Sequence, residues 1–137
     1  MANLTPEEIL RGIIDGTIEE IISDDAFSIE TYKLYGESRL RRVTIPNIKS
    51  VGAQAFRSNP SLVDVDLLNA TNVWTSAFQW SGSSEMGVLR FDKNVVIGTN
   101  SFNGSKIGGV IGPNVSSLAY ETAFEGCTRM KFAIFPK

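Results

Sequence analysis

A chain of 137 residues, 42% hydrophobic and 20% charged, is sized for one domain with a packed core, residues 1–137, and is too short for two ordinary ones. Lys and Arg number 13 against 15 Asp and Glu, a formal charge of -2 that argues against nucleic-acid binding. Histidine is absent and cysteine occurs once, at Cys127. That excludes Ser-His-Asp and Cys-His nucleophiles, histidine metal sites, a multi-cysteine zinc site and an internal disulfide framework.

In chain order, Met1 to Glu8 has neither the basic nor the apolar region of a secretory signal. Apolar runs such as Val95-Val96-Ile97 fall far below the roughly 20 residues that span a bilayer, so a soluble chain without membrane insertion is expected. Thr5 before Pro6-Glu7-Glu8 reads as a capping box with proline at the first helical position. The spacing predicts a helix over 5–15 with Ile9, Leu10, Ile13 and Ile14 on one face, lidding a strand over 17–22.

Beyond the helix the chain repeats itself. Val51-Gly52-Ala53-Gln54-Ala55-Phe56 returns as Val73 to Phe78, as Ile97 to Phe102 and, with one extra residue, as Leu118 to Phe124. The phenylalanines stand 22, 24 and 22 residues apart, and a degraded copy falls at Leu34. Before each copy lies an apolar strand signature: Leu40, Val43 and Ile45; Leu62, Val65 and Leu67; Met86, Leu89 and Phe91; Ile107 and Val110; then Met130, Ala133 and Phe135. With Ile18 and Ile21 as the first, six short strands are expected. A unit of about 22 residues holds one strand, a turn and a short helical or 3₁₀ segment, and it buries its apolar residues only by stacking on neighbours about 4.8 Å away. The aromatics are expected to form an internal ladder, with Ala55, Ala77, Ser101 and Ala123 giving room beside it.

Leu40-x-x-Val43-x-Ile45-Pro46, Val51-Gly52-x-x-Ala55-Phe56 and Ala123-Phe124-Glu125-Gly126-Cys127-x-x-Met130 resemble the BspA-type leucine-rich repeats. The resemblance covers about 17–137 and implies an α/β architecture: a right-handed leucine-rich repeat solenoid with a short parallel sheet on one face and an N-terminal capping helix. The Gly-Cys that follows the aromatic in the family survives only at Gly126-Cys127, while Asn59, Ser81 and Glu37 stand in the cysteine place. Cys127 therefore reads as a small, buried packing residue. Ile9-Leu10-Arg11-Gly12-Ile13-Ile14 followed by Gly16-Thr17-Ile18 is also similar to short repeat proteins encoded by phages and prophages of gut Gram-positive bacteria.

Equivalent outward positions line up across such a sheet. One row reads Glu20, Arg42, Asp64, Val88, Gly109, Phe132, and the next Ile22, Thr44, Asp66, Arg90, Ile111, Ile134. The first half alternates in charge, with Asp66 placed beside Arg90, and reads as a register-fixing ladder or a ligand face. The second half turns apolar at Val88, Ile111, Phe132 and Ile134, next to a strand expected to lack a cap, which suggests self-association or a foreign partner. Trp74 replaces a repeat glycine and Trp80 precedes a lengthened loop, Ser81-Gly82-Ser83-Ser84-Glu85. Either ring serves as a binding hot spot or covers a locally thin core. The interface candidates are thus Trp74, Trp80, Val88, Arg90, Ile111, Phe132 and Ile134.

No cofactor, metal or catalytic constellation is evident. Glu19-Glu20 and Asp24-Asp25 lack calcium-loop spacing, and Gly108-Gly109 with Gly112 lacks the lysine of a phosphate loop and suits tight solenoid corners. The expected function is a non-catalytic protein-interaction or structural repeat module. One reading is an exposed phage tail or virion-associated component that self-assembles or binds a host surface. The other is a bacterial cell-surface adhesion or host-interaction module. The partner is a protein or a cell-surface glycan, and the localisation is the virion if the chain is phage-encoded.

Overall fold

The computed structural model describes residues 6–17, 19–115, 117–118 and 120–134, with the backbone only at residues 6, 9, 117, 118, 120, 121 and 132. Helix α1 (Pro6–Ile14) opens it and buries Leu10 and Ile13 against the first strand, whereas Ile14 points out, 48% exposed. The expected cap residue Thr5 lies outside the described residues. Gly16 ends the helix at φ +77, a left-handed turn that glycine makes without a Cβ penalty.

Six three-residue strands then recur: β1 (Glu20–Ile22), β2 (Arg42–Thr44), β4 (Asp64–Asp66), β6 (Val88–Arg90), β8 (Gly109–Ile111) and β10 (Phe132–Ile134). The first strand is shorter than the 17–22 expected. Pairing is parallel and follows the predicted rows, Glu20 to Arg42 to Asp64 on one side and Val88 to Gly109 to Phe132 on the other. The sheet is not continuous, however. Its ladders run β1-β2-β4 and β6-β8-β10, and none joins β4 to β6. The gap falls in the long repeat, which has two extra residues between Phe78 and Phe102, and it is local: Gly87 N–H donates to the Val63 carbonyl at 3.0 Å before it and Asp92 N–H to the Leu68 carbonyl at 2.9 Å after it. Val65, at the seam, is only partly buried where Val43 and Leu89 are fully so.

A second parallel sheet runs along the stack through β3 (Ser50–Val51), β5 (Asn72–Val73), β7 (Val96–Ile97) and β9 (Ser117–Leu118). It replaces most of the expected helical segments. Each aromatic motif folds as a hydrogen-bonded turn whose N–H groups donate to the next repeat, as from Phe56 to Ala77 and Phe78 to Ser101, and only α2 (Tyr120–Ala123) is helical. Two-residue strands gain their bonds from neighbours rather than from local propensity, so nothing within one repeat announces them.

The core is a column. Phe56, Phe78, Phe102 and Phe124 stack with ring centroids 4.9, 5.3 and 5.3 Å apart and planes within 10°. Leu34 continues the column, fully buried. The Ala55, Ala77, Ser101 and Ala123 beside it are buried too, and so leave the turns close to the rings. Next to the column, side chains at the cysteine place satisfy carbonyls one repeat back: Asn59 Nδ2 donates to Leu34 at 2.8 Å, Ser81 Oγ to Phe56, and Cys127 Sγ to Phe102 at 2.9 Å. Cys127 is half-buried rather than buried, and desolvation pushes its thiol up to about 11. The glycines near 108 take no left-handed turn. Gly108 is instead pressed against the preceding repeat, where a Cβ would meet the Met86 carbonyl at 3.2 Å.

Candidate functional site

Three surfaces gather the polar and aromatic side chains. On the first half of the outward sheet face, Arg42 bridges two strands: Nη1 donates to Glu20 at 2.8 Å and Nε to Asp64 at 3.0 Å. These hydrogen bonds, that to Asp64 foremost, push the guanidinium further above its already high ordinary value and keep it charged. All three groups are solvated, so the trio fixes register more than it adds stability. The next row departs from expectation. Arg90 Nε donates to Asp92 at 2.7 Å, not to Asp66, because the seam separates β4 from β6, and Asp66 accepts from the Leu68 N–H instead.

On the second half, Val88 and Ile134 are about half exposed and Ile111 partly so, on three hydrogen-bonded strands in fixed register. Gly109 lies between Val88 and Phe132 and leaves a bare step in the row. Phe132 holds its predicted backbone position; its side chain lies outside the description. At the inward place, Ala133 is exposed where Val110 and Leu89 are buried.

The third surface is the ridge formed by the turns after the second sheet, and here sequence reasoning found only Trp80. The turns set Tyr35 beside Tyr32 at 6.2 Å, with Arg57 of the next repeat over Tyr35 at 5.7 Å and over the Trp80 indole at 4.5 Å. Gln54 Nε2 donates to the Tyr32 hydroxyl at 2.9 Å and accepts from Arg57 Nη1 at 2.8 Å. A signal was present in the alignment of repeats: Gly36, Ser58, Trp80, Gly104 and Gly126 share one position, where tryptophan is out of place. Trp74 is not part of this cluster. It stands half exposed with no ring partner among the described residues, and neither tryptophan belongs to the core.

An open groove of about 450 Å³ runs along the other edge of the outward sheet, lined by Glu19, Arg39, Arg41, Ser83 and Glu85 among others. No group of three or more potential ligands for a metal ion occurs among the described residues, and none of their helices is long and apolar enough to cross a membrane. The surfaces offer recognition chemistry: fixed cations, exposed rings and apolar steps held by backbone register.

No curated protein and no solved structure matches the chain. Residues 16–134 match the model of the BspA type leucine rich repeat region in six copies, the number of outward strands in the stack. Match, register and aromatic column agree, and the chain belongs to the BspA-type leucine-rich repeat family.

Proposed function

We propose that the chain is a non-catalytic recognition module that associates with copies of itself through the apolar half of its outward sheet, as a component of an exposed assembly such as a phage tail. A leucine-rich repeat surface suits protein binding, and one observation supports this use of it. Val88 and Ile134 are about half exposed and Ile111 partly so, on three adjacent strands whose register sets Ile134 beside Ile111 and Val88 one row away. Apolar clusters of this kind mark interfaces. Arg90, tied to Asp92, gives the patch a charged rim. The phage setting is supported by the likeness of residues 9–18 to short phage-encoded repeat proteins. A bacterial surface adhesion module would use the same patch against a foreign protein.

Sedimentation velocity over a wide concentration range tests the proposal. Wild-type protein is expected to form a discrete oligomer that Val88→Asp and Ile134→Asp each convert to monomer. A wild type that stays monomeric, or an oligomer indifferent to both substitutions, overturns it.

A further inference from the structure

The ridge is a different surface from the sheet patch, and it seats bulky side chains on two backbone positions that the repeat holds left-handed from one copy to the next. Trp80 holds φ +58 and Tyr32 φ +61, left-handed conformations that bulky residues rarely adopt. At the position of Trp80 three other repeats place glycine, with φ between +69 and +75, and a fourth places Ser58 at +58, while Gln54, Ser76 and Asn100 repeat the turn of Tyr32. The repeat thus imposes the backbone, and what is particular to the ridge is that an indole and a phenol occupy these positions. The indole lies against Gly104, where a Cβ would come within 2.3 Å of its Cδ1, and the Arg57 guanidinium covers it from the preceding repeat. Yet the ring remains 53% exposed, and Tyr32 and Tyr35 are exposed to a similar degree. Arg57 Nε is buried and has no partner among the described side chains.

We propose that this ridge binds a saccharide, with pyranose rings laid on the exposed faces and edges of Tyr32, Tyr35 and Trp80 and with hydroxyls bonded by Gln54, the tyrosine hydroxyls and the remaining guanidinium N–H groups of Arg57. The aromatic face is electron-rich and attracts the weakly positive C–H face of a sugar ring, as it does a cation. The hydrogen-bonding groups are already locked to one another, so little side-chain freedom is lost on binding. Tyrosine, tryptophan and arginine are also anchors of protein interfaces, but those anchors work in pockets. The open groove beside the sheet is lined by none of the ridge residues. A strip of exposed rings interleaved with hydrogen-bonding groups fits a hydroxylated ring ligand better than a protruding side chain.

The test uses the full chain. A glycan array identifies candidates, and hexamers of β-1,4-linked N-acetylglucosamine, mannose and galacturonate are then titrated while the indole N–H resonance of Trp80 is followed by NMR, assigned by its loss in Trp80→Gly. At least one saccharide is expected to shift that resonance saturably. A neutral hexamer alone assigns recognition to stacking and hydroxyl bonds, whereas a uronate alone adds a charge contact from Arg57; either supports the proposal. Tyr35→Ala and Trp80→Gly are expected to weaken binding about tenfold or more, and Lys93→Ala to leave it unchanged. Because glycine already occupies this position in other repeats, Trp80→Gly removes the ring without imposing a forbidden backbone. The proposal is overturned if no saccharide binds, if binding survives both substitutions, or if a proline-rich peptide moves the Trp80 resonance where saccharides do not.

Discussion

At Trp80 the usual ranking of small residues should invert. Alanine normally outranks glycine in regular structure, because glycine loses about 0.5–1 kcal/mol more in chain entropy on folding. With φ at +58, alanine keeps a left-handed penalty of about 1–2 kcal/mol that glycine does not carry. Both substitutions forfeit the same stacking on Arg57 and the same contact with Gly104, so those losses cancel in the comparison. Trp80→Gly is therefore expected to be more stable than Trp80→Ala by about 0.5–1 kcal/mol. Guanidinium unfolding with matched slopes resolves such a gap as a shift in midpoint. A second step sharpens the reasoning. Gly104→Ala places a Cβ 2.3 Å from the indole and should be strongly destabilising in the wild type, but should cost about 0.5–1 kcal/mol in Trp80→Gly, where only the φ +69 penalty less alanine's chain-entropy gain remains. Alanine proving more stable than glycine at position 80, or equal costs for Gly104→Ala in both backgrounds, would refute the left-handed seat proposed for the indole.

Three further outcomes follow from the core and its flank. Phe78→Ala opens the middle of the ring column and should cost about 3–5 kcal/mol in chemical denaturation. Val65→Ala, at the seam and already partly exposed, should cost less than Val43→Ala, measured the same way. The thiol of Cys127 should react sluggishly with iodoacetamide at pH 8 and accelerate until about pH 11, since its raised value keeps the thiolate scarce. In linkage terms the folded state holds this proton more tightly than the unfolded chain. The thiol's contribution to stability is therefore complete below about pH 9 and is lost as pH climbs toward about 11. The size of that loss is reduced by the partial exposure of the group. Replacement by serine should abolish the effect.

Much of the fold was legible because stacking turns a one-dimensional period into a three-dimensional column. The spacing of Phe56, Phe78, Phe102 and Phe124 allowed the rings to be placed together, and the same period put Val88, Ile111 and Ile134 on one patch. What escaped depended on relations between repeats. The second sheet arises from two-residue strands such as Asn72–Val73, which carry no periodicity of their own. The seam between β4 and β6 coincides with a long repeat whose irregular spacing was visible, but the arrangement it accompanies, Arg90 on Asp92 instead of Asp66, is not written in that spacing. The ridge was hidden for another reason. Tyr32 and Tyr35 fall in the most degraded copy, and Arg57 looks like any surface cation until its neighbours above and below are known.

Recognition through an ordered apolar patch is best tested by following every backbone amide as the protein is concentrated. Proton–nitrogen NMR spectra should show the amides of Val88–Arg90, Gly109–Ile111 and Phe132–Ile134 shifting together, while those of Glu20–Ile22 and Arg42–Thr44 stay in place. Spectra that do not change with concentration, or shifts confined to the charged half of the sheet, would contradict the assignment of this face.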